Sequence, residues 1–245
     1  LSLIRFDDYW GGTPKTKEIV IRSIPEASSR LIALQTGEID ICVDPPVIDL
    51  HYVAEDENLV LWQIPSSNIR HISVNMEVEP FTNKLVRQAL MYAVDREALL
   101  ALVYEGNATP HYGVMHPMSE FYIEADTPEY NPEKAKIILN KQGWLPDANG
   151  ILSKNGKVLS FTIYYGQGSE NSGKASIYIQ HFLKEVGVDV KIRPVEFSVL
   201  VTEIANPGKF EAILLDWIEN PDPDCYVEWG TDQVKNGMNF MSYAN

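Results

Sequence analysis

Cysteine is scarce. Cys42 and Cys225 are the only two in 245 residues. They form neither a CxxC pair nor a disulfide framework, and a chain of this size buries enough surface to do without staples, so the redox compartment stays open. Long apolar runs are missing too. No stretch reaches the roughly 18 residues that a membrane-spanning helix needs, and no signal-peptide pattern is present. Clustered Lys and Arg are also lacking. The formal net charge is −14, with 6 basic against 11 acidic residues in 1–73 and 14 against 23 in 74–245. An acidic field spread over the whole chain repels phosphate backbones, so nucleic acid is excluded as a partner. Finally, the chain lacks GxSxG, HExxH and a P-loop, and sequence alone nominates no acid/base pair.

What is present is ordinary globular composition, 45% hydrophobic and 22% charged, with elements that alternate. "KEIVIRSI" (17–24) has strand periodicity. "PEASSRLIALQTG" predicts a helix capped by Ser28 or Ser29 and closed by Gly37, and "EIDICV" predicts a returning strand. "NLVLWQI" and "RHISVNM" are further strand candidates. From Phe81 onward, Leu85, Val86, Ala89, Leu90 and Ala93 recur at helical spacing. Asp95 is placed to cap a second helix closed by Gly106. "ATPHYGVMHPMSEFY" has no period and is expected to be loop. Asn131-Pro132 reads as an N-cap with Pro at N1, and "NGILSKNGK" as a hairpin. Then "VLSFTIYYG", "SGKASIYIQHFLKEVG" (capped by Ser172, closed by Gly187), "VDVKIRPV", "FSVLVTEIAN" and "FEAILLDW" alternate strand and helix. That order predicts a parallel sheet with helices packed on it.

Ligands in such sheets sit beyond the carboxyl ends of strands, where "DWIENPDPDCYVEW" (216–229) begins. This stretch holds Asp216, Glu219, Asp222, Asp224 and Glu228 with no Lys or Arg. Asn220-x-Asp222-x-Asp224 imitates the start of an EF-hand loop, but Cys225 stands where the sharp turn requires Gly and Thr231 where the last ligand should be Glu. Calcium is therefore rejected. Two readings stay open. Trp217 and Trp229 plug the core while the acids face water, or the stretch is a pocket wall with an aromatic floor and carboxylates for a ligand amine. Among the histidines, His51, His71, His111, His116 and His181, only His111 and His116 are near each other, which is poor spacing for a metal site. "YYGQGSENSGK" lacks P-loop spacing and reads as a strand-to-helix turn of small residues.

The order "DDYWGG", "IPEASSRLIALQTGEIDI", "VNMEVEPFTNKLVRQALMYAVDREALL", "YNPEKAKIILNKQGW", "FLKEVGVDVKI" and "FEAILLDW...PDPD" resembles the family 5 extracellular solute-binding proteins, the peptide- and nickel-binding components of ABC importers. The resemblance covers essentially the whole chain. It implies an α/β, periplasmic-binding-protein-like fold (type II, cluster C) of two lobes that close on a ligand, with no catalytic step and no cofactor. Residues 1–73 are then a partial first lobe, "HISVN" a crossing strand, and 74–245 a second lobe incomplete at its C-terminus. Family members are about twice as long, so the chain reads as a truncated piece.

The implied partners are a peptide and the permease subunits. The implied place is the outer face of the cytoplasmic membrane or the periplasm, with membrane attachment only through a lipid anchor outside this chain. The implied ligand-binding residues are Trp217, Ile218 and the amine-facing Glu219, Asn220 and Asp222, with Phe197, Tyr165 and His71. The family's amine-pairing aspartate falls on Asn220, which carries no charge, and an arginine that some oligopeptide binders use falls on Leu214. A nickel or metal-complex ligand, to which His71 is the one attraction, and a ligand-sensing module are the alternatives.

Overall fold

Ser2, Leu3 and Ile4 pair antiparallel with Val20, Ile19 and Glu18, so the strand expected around residue 19 has a partner that periodicity did not mark: β1 (Ser2–Ile4) joins β2 (Glu18–Val20). This is a computed structural model; it describes residues 1–64, 66–117, 119–218 and 222–244. The chain divides into two compact units, Leu1–Gln63 and Ile64–Asn245.

In the first unit, α1 (Ala27–Gln35) is shifted from its expected start. Glu26 is the N-cap residue and makes no side-chain cap bond, so Ser28 and Ser29 lie inside the first turn and do not cap it. Gly37 does close the helix, at φ +74°, the left-handed region where a side chain is costly. Neither "EIDICV" nor "NLVLWQI" forms a strand. Ile41, Val43, Val60 and Trp62 are exposed, and among the described residues no ladder partner stands beside either segment. Alternation alone does not make a strand when nothing offers a ladder to join. A short helix, α2 (Leu50–Glu55), comes next, with Val53 buried.

The second unit is built on β3 (Asn68–Val74). Two helices come after it. Asn83 caps α3 (Lys84–Ala93) by accepting from the Leu85 amide, and Asp95 caps α4 (Arg96–Tyr104) by accepting from the Ala98 amide. Residues 107–131 contain no described helix or strand, and Asn131 caps α5 (Pro132–Lys141). A small antiparallel meander comes next, β4 (Leu145–Pro146), β5 (Leu152–Lys154) and β6 (Lys157–Val158). Asn155 and Gly156 both have positive φ, +52° and +79°, as a type I′ hairpin turn requires.

Then β7 (Ser160–Gly166) leads into α6 (Glu170–Glu185), which returns as β8 (Asp189–Val195). Ser169, not Ser172, caps α6. Its hydroxyl accepts from the Ser172 amide, and Ser172 itself is buried in the first turn. "FSVLVTEIAN" becomes a single helical turn, Phe197–Val199, running into a π-helix over Leu200–Ala205, and the chain enters β9 (Ala212–Ile218).

The sheet order is β3-β9-β7-β8. β7 runs parallel to both β8 and β9, as expected, but β3 is antiparallel to β9, with Ile69 opposite Trp217 and His71 opposite Leu215. The sheet is therefore mixed. Side chains alternate between its faces. Phe161, Ile163, Ala212 and Leu214 enter the main core with Val86, Ala89, Leu139 and Ile179 from the helices and Phe81 from the turn before α3. Ile213 faces the other way, into a smaller cluster with Leu200, Ala205 and Phe210, against which Tyr164, Leu215 and Phe240 pack. Among the described residues, no helix is long and apolar enough to cross a membrane.

Candidate functional site

The carboxyl ends of β7, β8 and β9 lie side by side, because the three strands are parallel. They bring Tyr165, Phe197 and Trp217 to one rim of the sheet, though not to one face. Tyr165 packs on the main core, and its hydroxyl reaches over Gly173 in α6, 3.2 Å from where a β-carbon would stand. Trp217 faces the other way. Its ring is 6.1 Å from His71 and 6.5 Å from Phe240, edge to face with the latter. Phe197, 63% exposed, shares that second face: a β-carbon on Gly166 would sit 3.5 Å from its ring. Ile218 is 70% exposed, so β9 ends with an open apolar residue beside a half-buried indole.

Beyond β9, Glu219 and Asn220 lie outside the described residues. Asp222 is exposed, and its carboxylate accepts from the Asp224 amide at 3.0 Å; Asp224 in turn accepts from the Tyr226 amide at 2.9 Å. These acids shape the turn through the backbone. Trp229 is half-buried, edge to face with Tyr243 at 5.9 Å. Buried Asn239 ties this segment together, donating to the carbonyls of Gly230 and Tyr243 and accepting from the Tyr243 amide.

His71 sits under Trp217 on the edge strand. Its Nε2 lies 3.0 Å from the Ser73 hydroxyl and its Nδ1 3.4 Å from the Ile69 carbonyl. Burial lowers its pKa below the ordinary histidine value, and nearby His111 pushes in the same direction; the Ile69 carbonyl and Asp216 act against them. The imidazole is thereby held neutral near pH 7. Among the described residues no three His, Cys, Asp or Glu side chains converge as a metal site would require.

A second constellation at this rim escapes a reading of sequence. Arg70 donates from Nε to one oxygen of Asp216 at 2.5 Å and from Nη2 to the other at 2.6 Å, while Nη1 donates to the Tyr104 hydroxyl at 2.6 Å. The fork is the bidentate geometry that makes guanidinium–carboxylate pairs strong. Burial opposes the charge on Arg70, but the bond to Asp216 and the proximity of Tyr104 outweigh it, and its pKa stands above the ordinary value. Tyr104 is itself raised, first by burial. Arg70 and Asp216 are 146 residues apart, and only the antiparallel register of β3 on β9 makes them opposite neighbours. Two other arginines of this unit, Arg87 and Arg96, serve the backbone: Arg87 donates to the Phe81 carbonyl and Arg96 to that of Pro128.

A mixed sheet with helices on its faces and an aromatic rim at the parallel carboxyl ends is the architecture of a periplasmic-binding-protein lobe, and the solved structures that resemble this chain bear that out. The chain belongs to the bacterial extracellular solute-binding proteins, family 5 (middle region), whose profile matches residues 1–237. It is 34% identical over 244 residues to the oligopeptide-binding protein AppA of Bacillus subtilis, covering 98% of this chain and 45% of that protein. It is 29% identical to a probable di/tripeptide-binding protein 5 of Pseudomonas aeruginosa, covering 97% and 44%.

The structure of Bacillus subtilis AppA with a nonapeptide superposes with a TM-score of 0.88 at 35% identity, covering all of this chain and 49% of that one. The Helicobacter pylori protein DppA with the peptide STSA superposes at 0.83 with 26% identity, covering 100% and 46%. NikZ from Campylobacter jejuni with Ni(L-His) gives 0.80 at 23% identity, which speaks to the fold alone. The chain thus spans about half the length of the relatives it matches.

Proposed function

We propose that the protein carrying this chain is the substrate-binding component of an ABC importer and captures di- or oligopeptides for uptake. The single observation that carries this reading is the end of β9, where a half-buried Trp217 and an open Ile218 lead directly into the acid-rich turn. An extended ligand pairing with main-chain groups there gains sequence-tolerant hydrogen bonds, as in strand addition. Trp217 and Phe197, on one face, supply apolar walls, with Tyr165 at the rim's other face. Glu219, Asn220 and Asp222 are assigned to the ligand's amine. Support comes from relatives named for binding oligopeptides and di/tripeptides.

In this reading residues 1–73 belong to a first lobe and 74–245 to a second. The protein works at the outer face of the cytoplasmic membrane or in the periplasm, tethered there by a lipid anchor outside this chain, and hands its cargo to permease subunits. Titration calorimetry of the full-length polypeptide with a panel of di-, tri- and longer peptides tests it. Peptide binding is expected, and binding of a sugar or a metal chelate with no response to any peptide overturns it.

A metal complex is the second reading, carried by His71, since a neutral imidazole is the form that ligates metals. Elemental analysis of freshly purified protein separates the two. A ligand-sensing role differs only in the step after capture, and gene neighbourhood discriminates: permease and ATPase genes alongside would favour import.

A further inference from the structure

We propose that Arg70 tunes specificity at this rim by withholding the Asp216 carboxylate from a ligand's amine, an inference that rests on the peptide-capture reading above. The stretch 216–228 holds five acids and no base, so by sequence every one of those acids is available to a cation. The structure divides them. Asp216 has both oxygens occupied by one guanidinium, at 2.5 and 2.6 Å, and that guanidinium's third nitrogen is held by Tyr104 from α4. Asp222 and Asp224 accept only backbone amides and are in no ion pair among the described residues.

The chain therefore carries a neutral pair at residue 216 and, among the described residues beyond it, acids at 222 and 224 that no cation compensates. The pair is only partly screened by water, with the Arg70 side chain 23% exposed and that of Asp216 37%. A charge at this depth is felt by neighbouring groups far more than one in bulk solvent. Asp216 points to the Tyr165 face of the sheet, opposite the indole of Trp217, so its carboxylate, if uncovered, acts on an amine that docks at the end of β9 from that face of the rim. Arg70 does not touch the ligand in this scheme. It acts through Asp216.

The pair gives a test in which the two partners pull in opposite directions. The readout is the affinity ratio of a free-amine tripeptide to its N-acetylated form, measured by calorimetry on the full-length polypeptide, with circular dichroism to check folding. R70Q uncovers the carboxylate, so the ratio is expected to rise about three- to tenfold. D216N leaves the guanidinium uncompensated, so the ratio is expected to fall by a similar factor. The double variant R70Q/D216N returns it to the wild-type value, and R70K, which keeps the pairing, leaves it there.

A residue that merely braced the strand would move both single variants the same way, because both break the same contact. Shifts of equal sign, or no shift in either, overturn the proposal. Should R70Q not fold, D216N decides alone: a fall supports the proposal, and no change or a rise overturns it. If the wild type binds neither tripeptide, the capture reading fails and this inference falls with it. If the wild type binds but the ratio never moves, only the inference fails.

Discussion

Tyr165 and Trp217 stand on opposite faces of the same sheet, although both lie at the carboxyl rim of its parallel strands. Tyr165 pairs in register with Leu214, and Trp217 lies three positions further along β9, so the pleat turns the indole away. Their environments differ accordingly. Tyr165 belongs to the packed helical layer, while Trp217 lies between His71 and Phe240. Substitutions at the two positions should therefore have unlike consequences.

On the peptide-capture reading, Trp217→Ala is expected to weaken peptide binding by about 1–2 kcal/mol, as for a half-buried aromatic contact. Tyr165→Phe, which keeps the packed ring, is expected to change affinity little. Calorimetry of both variants with one tripeptide checks this. Equal losses would show that the rim does not discriminate between its faces.

His71 makes stability depend on pH. Its folded-state pKa lies below the ordinary value of 6.5, through burial first and through His111, with Asp216 and the Ile69 carbonyl opposing. The unfolded chain thus takes up this proton before the folded one does. The contribution is full above pH 6.5 and is lost as the pH falls through the folded-state value. Urea unfolding between pH 7.5 and pH 5 should show a loss of stability that His71→Gln lacks. Parallel curves for the two proteins would refute it.

Gly187 closes α6 at φ +85°, and a β-carbon there would meet the Gly150 carbonyl oxygen at 2.5 Å and the Leu152 side chain at 2.9 Å. Gly187→Ala thus combines backbone strain with a clash against main chain. A loss of about 1–3 kcal/mol is expected in denaturant titration. The same change at Gly156, where φ is +79° but nothing lies within 4 Å, is expected to cost less.

Phe81 is fully buried and meets Phe161 edge to face with ring centroids 5.0 Å apart. It joins the segment before α3 to β7. Phe81→Ala is expected to destabilise the chain by about 3–5 kcal/mol through lost burial and a residual cavity. A thermal melt indistinguishable from wild type would contradict this placement of the core.

Much of the fold was legible in local chemistry. Asn131 caps α5 and Asp95 caps α4 as their positions imply, since a cap depends on residues within one turn. The strands β7, β8 and β9 obey alternation bounded by turn residues. The failures are of another kind. Ser169 took the cap expected of Ser172 because both are small hydroxyl residues at the same turn, and spacing does not choose between them. "EIDICV" and "NLVLWQI" have strand composition but no ladder to join among the described residues. The Arg70–Asp216 pair was invisible because it depends on which way β3 runs beside β9, which no local pattern records. The rim's aromatic residues were nameable from sequence, but their division between two faces comes from register, and register is a tertiary property.

The outer strand β8 carries Lys191, Ile192, Arg193 and Pro194 in succession, and three of these four are exposed. Long charged side chains and an imino acid without a donor make that border a poor template for another chain's backbone. Replacing Lys191, Arg193 and Pro194 together with threonine would leave the hydrophobic layers intact while inviting edge-to-edge aggregation during refolding.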